Sequence, residues 1–234
     1  MKTRLIRKLH RWLGLLFSLS VLMASGSGVI HNVMTRTQSP PPSARPSGGG
    51  MDVNSIKVTV AEAVSRLPEE KPEVQAVNLR GIGGQPWYQV YTTTSPVPHY
   101  VSAVDGTFDP SRDEAYAAEI ASRFLAGEKV SKTAFLTAFN TEYLNIFRIL
   151  PVYRFDAGDA LETRVYVSTT TGSVTRHTDE QRQFEATIFT NFHKLGLIPN
   201  KDLRDLVLTV LTSGTFLVAC LGVALFFATR PRKR

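Results

Sequence analysis

The chain has 234 residues, 43% of them hydrophobic, a formal net charge of +7 and one cysteine. Nine of its 27 basic residues lie in two acid-free flanks, 2–11 and 230–234, leaving 18 basic against 20 acidic residues between them, a net of −2. The positive excess is thus confined to the ends, which argues against a nucleic-acid surface, and a lone cysteine excludes an intrachain disulfide.

Residues 1–11 form a basic flank carrying Lys2, Arg4, Arg7, Lys8 and Arg11. The run 12–34 that follows has no charged residue. As a helix it rises about 34 Å, enough to cross a hydrocarbon core of roughly 30 Å. A second uncharged run, 206–229, ends in the basic tail 230–234. Two crossings with basic ends inside place both termini in the cytoplasm and the intervening domain in a bacterial periplasm. The alternative is a cleaved signal peptide over 1–28, with Ala24-Ser25-Gly26 as the small-residue site. The apolar run continues past that site to Val33-Met34, as a retained anchor would.

Residues 35–50 are dense in Pro and Gly and read as a linker. A first unit, 51–109, begins with helical periodicity over 55–67, where Ile56, Val60, Ala63, Val64 and Leu67 share a stripe. Strand patterns follow at 74–79, 87–93 and 99–104, the last closing on Asp105-Gly106. A second unit, 110–179, opens with a helix over 112–126 that Gly127 stops. It continues with a long strand over 134–149, whose fourfold aromatic spacing also suits a helix, then strands at 152–155, 165–169 and 173–177. The stretch from Tyr100 through Asp105-Gly106 recurs 66 residues later, from Tyr166 through Thr171-Gly172. The expected fold is α+β, a tandem αβββ domain held by two transmembrane helices. Segment 180–205 reads as a juxtamembrane helix and turn, with Asn200 capping the second span and Asp202 in its first turn.

The run Lys8-Leu9-His10-Arg11-Trp12-Leu13-Gly14-Leu15, and later Ser25-Gly26-Ser27-Gly28-Val29-Ile30, resemble the first helix of the PepSY-associated transmembrane proteins. Phe192-His193-Lys194-Leu195-Gly196-Leu197-Ile198-Pro199 is similar to that family's histidine-containing juxtamembrane turn, and the αβββ units closing on Asp-Gly or Thr-Gly suit PepSY domains. The resemblance implies several roles. Larger members with four spans include inner-membrane reductases of ferric siderophores, whose intramembrane histidines hold haem. Other PepSY domains are modules on peptidase propeptides or periplasmic sensors. This chain departs from the reductases in having two spans.

Histidines at a membrane edge are functional candidates, and imidazole is an axial haem ligand. His10 and His193 match the family's first-helix and juxtamembrane histidines, and His31 stands at the outer end of the first span. His10 and His31 lie 21 residues apart, about 31 Å along a helix. His31 with His193, or paired helices in a dimer, would form an outer bis-histidine site for haem b. The competing reading is interfacial histidines solvated by water and headgroups. His99 and His177 read as surface residues on strands.

No Cys-x-x-Cys-His, His-Glu-x-x-His, phosphate loop or nucleophile elbow is present. Asp156 and Asp159 flank Gly158 in a turn, and the tyrosines suit sheet packing. Ala24 through Gly28 permit close helix approach, and so a homodimer or a place in a larger membrane complex. The leading expectation is an accessory protein of transmembrane electron transfer or iron/siderophore reduction, presenting an acceptor such as a ferric siderophore in the periplasm. The alternative is a non-enzymatic module that binds or restrains a periplasmic protein.

Overall fold

The computed structural model describes residues 2–38 and 49–229. The middle of the expected linker and the basic tail lie outside the described residues. The chain divides into two compact units, one formed by residues 1–39 with 181–234 and the other by residues 40–180.

The first unit is a pair of long apolar helices. Helix α1 (Lys2–Thr37) is continuous through the small-residue segment, and α5 (Lys201–Ala228) begins five residues before the expected span. Both are long and apolar enough to cross a membrane. Asn200 caps α5, its Oδ1 accepting from the Leu203 N–H at 2.9 Å, and Asp202 faces the positive end of the helix dipole.

The two helices run antiparallel, because contacts that climb α1 descend α5. His10 meets Val218 and Gly222, Gly14 meets Val218, and Phe17 covers Gly214. A Cβ on Gly214 would fall within the Phe17 ring, so this glycine makes the close approach possible. The expected helix over 180–195 is two pieces: α4 (Glu180–Ile188) and a five-residue π-helical turn, Phe189–His193. That turn packs on α1. The wider turn rotates the side chains that follow it, which matters for His193.

The second unit packs two antiparallel sheets with two helices. Helix α2 (Val60–Ser65) is shorter than expected, because Ile56 and Thr59 are extended and only Val60 onward is helical. Thr59 and Glu62 form a capping box there. The first sheet has the order β1 (Val74–Ile82), β2 (Gln85–Thr92), β3 (His99–Ser102), all antiparallel. Alternation along β2 sends Tyr88 and Val90 toward Ala63 of α2 and Leu67 just beyond it, and Trp87 to the opposite face. On that face lies α3 (Arg112–Phe124), whose Tyr116, Ala117, Ile120 and Ala121 are fully buried.

The same buried stripe of α3 also packs against the second sheet, whose order is β4 (Ser131–Leu136), β5 (Val152–Asp156), β6 (Arg164–Ser168), β7 (Ser173–Thr178). Phe155, Val165 and Val167 close on α3, while Val152 and Tyr166 point away and are covered by Tyr143, Phe147 and Ile149. The long strand expected over 134–149 is therefore not one element. It ends at Leu136, and the aromatics beyond it form a cover on the sheet rather than a continuation of it. The stacking of Tyr143 on Tyr166 and on Phe147, at 4.9 and 5.0 Å, accounts for the aromatic spacing.

The internal repeat is visible in backbone geometry. Gly106 and Gly172 both take positive φ, +78° and +64°, after matching strands. In the first copy of the repeat the returning chain makes a single bridge, Val101 to Phe108, where the second copy makes the full β6–β7 ladder. Gly172 has a further reason to lack a side chain, since a Cβ there would stand 2.8 Å from the Tyr116 hydroxyl.

A buried polar chain threads these layers. The Asp113 carboxylate, 5% exposed, accepts from the Tyr100 hydroxyl at 2.8 Å and from the Tyr153 hydroxyl at 2.9 Å. Gln89 donates to the Tyr100 oxygen at 2.7 Å and accepts from Arg80 at 2.9 Å. Burial first, and then the Asp113 charge, hold both phenols well above their ordinary value of 10. They are donors at every working pH.

Candidate functional site

Two stripes face each other in the first unit. On α1, Ala24, Ser27, His31 and Thr35 recur at three- and four-residue spacing, and so share one face. Opposite them stand Glu185, Phe189 and His193, each four residues from the next. The structure brings two of the three candidate histidines together on these stripes and leaves the third at the other end of the helix pair.

His31 Nδ1 lies 2.6 Å from Glu185 Oε1, a carboxylate only 13% exposed, and Thr35 adds a longer bond to the same oxygen. His193 Nδ1 lies 3.2 Å from the Ala24 carbonyl and 3.3 Å from Ser27 Oγ. The Ser27 hydroxyl already donates to that carbonyl, at 3.0 Å. Both partners of His193 Nδ1 can therefore only accept, so this nitrogen carries a proton, and in the neutral ring Nε2 holds the lone pair. His10 repeats the arrangement at the far end, its Nδ1 3.1 Å from the Val218 carbonyl. Gly222 makes room for that ring, since a Cβ there would lie 3.2 Å from His10 Cε1.

Each candidate thus has Nδ1 on an oxygen acceptor, the support that metal-ligating imidazoles have when Nε2 is the ligating atom. As a pair within one chain, His31 and His193 do not suit the two axial positions of one haem. Phe189 stacks against both, with centroids 4.9 Å from His31 and 4.5 Å from His193. Two axial imidazoles stand on opposite faces of a porphyrin, and a ring touching both would have to cross the macrocycle.

Glu185, Phe189 and Ser27 were not among the expected site residues. The signal for them was present in the fourfold spacing of 185, 189 and 193 and in the polar stripe on an otherwise apolar α1. What hid it was the absence of any cue that these two stripes meet.

Elsewhere the polar groups serve turns. Asp159 accepts from the Thr163 N–H and hydroxyl, both at 2.7 Å, and Asp156 pairs with Arg154 at 2.9 Å. His99 is bonded to Glu69 at 3.1 Å. His177 lies in contact with the Phe124 ring, 5.4 Å between centroids. No group of three or more metal-ligating side chains gathers among the described residues. No family model, curated protein or solved structure matches the chain.

Proposed function

We propose that the protein is a two-pass inner-membrane protein of PepSY type, accessory to transmembrane electron transfer or iron/siderophore reduction, with its two-sheet unit in the periplasm. One observation carries this reading. At both ends of an apolar helix pair, an imidazole is held by Nδ1 with Nε2 as its remaining nitrogen. Histidines left to solvate a membrane edge would not need that support from the facing helix. Haem, when bound, would supply one-electron transfer across the bilayer. His10 would hold it near the cytoplasmic face, and His31 or His193 near the periplasmic one. Because one chain offers a single imidazole per iron, the second comes from a partner copy, which makes a homodimer part of the reading.

The test is an absorption spectrum of the full-length protein in detergent, purified from cells supplied with haem precursor, before and after dithionite. A Soret band that shifts on reduction, with sharpened α and β bands, is the expected result. Replacing His10 should remove part of the signal and replacing His31 or His193 another part. A colourless protein overturns the electron-transfer reading.

A second reading rests on β1. This nine-residue strand is a sheet edge exposed over its first half, and its Gly81 carbonyl already accepts from the Gly49 N–H at 2.9 Å. Such an edge can take an extended segment of another protein, as a binding or restraining module would. Copurification of a partner that a proline at Val77 abolishes would support it.

A further inference from the structure

The helix pair contains a cavity of about 580 Å³, within the range of small-molecule sites. It lies between residues 16–25 of α1 and 208–216 of α5, and is closed at one end by Phe192, His193 and Leu195. Its walls are mostly leucine, valine, methionine and phenylalanine. No Asp, Glu, Lys or Arg lines it, so nothing compensates a charged headgroup there.

Three polar groups of the wall have already committed a proton to a neighbour. Ser20 already spends its proton on the Phe17 carbonyl at 2.8 Å, and Thr212 spends its own on the Leu208 carbonyl at 2.7 Å. His193 spends its proton on Ala24 and Ser27. What these three offer is lone pairs: two hydroxyl oxygens and Nε2. Ser25 and Thr215, also in the lining, can turn to donate or accept. An occupant that satisfies this wall must be neutral, apolar in bulk, and a hydrogen-bond donor.

We propose that this cavity binds a membrane-soluble hydroquinone, its two ring hydroxyls donating to two of the three acceptors His193, Thr212 and Ser20. An acyl chain would fill the apolar volume and leave the three acceptors without a donor from the occupant. The oxidised quinone has the same outline but carries only carbonyl acceptors, so it can accept from Ser25 or Thr215 and leaves the three acceptors without a donor. The site therefore discriminates redox states by two hydrogens. It rests on the electron-transfer reading for its biological sense, and it leaves His10 and His31 as the imidazoles free for a cofactor.

The experiment compares decylubiquinol with decylubiquinone, under anaerobic titration, on the full-length protein in nanodiscs. Cells without added haem precursor and cells with it supply two preparations. The expected result is saturable quinol binding, tighter than quinone binding by about threefold to tenfold for each hydrogen bond made. Thr212→Val keeps the shape, removes an acceptor and should lower that preference, and His193→Phe should lower it further. Should His193→Phe fail to fold, the threonine variant still decides. Equal affinity for the two forms, or a preference untouched by either variant, overturns the site. A colourless protein that still prefers quinol keeps the site and removes only the electron-transfer reading. A haem-loaded protein without the preference does the reverse.

Discussion

Asp113→Ala should be the most damaging single change to the two-sheet unit, and the structure says by how much. Both carboxylate oxygens of this buried residue accept from buried phenols, Tyr100 at 2.8 Å and Tyr153 at 2.9 Å. A hydrogen bond to a charged group contributes about 1.5–3 kcal/mol, so losing two costs roughly 3–6 kcal/mol. That is a large share of a typical domain stability of about 5–15 kcal/mol. The cost persists because both phenol protons stay behind without an acceptor. Tyr153 has Asp113 as its hydroxyl's partner, so Tyr153→Phe should cost stability in the native protein. In the Asp113→Ala background it should cost nothing or restore some, because it removes an orphaned hydroxyl. Pulse proteolysis of the full-length protein in urea, scored by cleavage of the sheet unit, measures all three variants. Costs that simply add, within about 0.3–0.5 kcal/mol, would refute the reasoning.

The helix pair offers a test of close packing. Gly214→Leu drives side-chain atoms into the Phe17 ring and should destabilise the pair by about 1–3 kcal/mol, seen as a lower melting temperature in detergent. Phe17→Ala in the same chain should recover part of it, and a double variant no better than the single would show that the two do not meet. Acid supplies another test. Asp105 and Asp159 are held below the ordinary value of 3.8 chiefly by the backbone N–H of Thr107 and of Thr163, and Asp109 chiefly by the Ser111 hydroxyl. A carboxyl depressed in the folded state stabilises it fully above about pH 4 and loses that contribution as pH falls through the lower folded value. Stability should decline steeply below that point, and Asp159→Asn should flatten the decline; an unchanged slope would show that this carboxylate is not part of it.

Much of the architecture was legible along the chain. Uncharged runs next to basic flanks located both long helices, because a helix that crosses apolar surroundings cannot carry charge and announces its length directly. The repeat was readable for a similar local reason, since strand alternation and a positive-φ glycine are properties of a few neighbouring residues. The capping of α5 by Asn200 belongs here too. The segment 134–149 failed because spacing alone cannot tell a strand or helix from a loop whose aromatics lie flat on a sheet. Only the position of Tyr166 beneath Tyr143 decides that.

The site divides along the same line. His10, His31 and His193 could be singled out as imidazoles placed at the edges of apolar helices. Their partners could not, because Glu185 is 154 residues from His31, and Ala24 is 169 from His193. The meeting of the two stripes depends on the antiparallel closure of α1 and α5 and on the wide turn at Phe189–His193. Sequence singled out the imidazoles at the ends of the apolar helices; tertiary structure decided which nitrogen of each ring is engaged by a neighbour. Proton placement follows from the neighbour across space, and no local pattern encodes that neighbour.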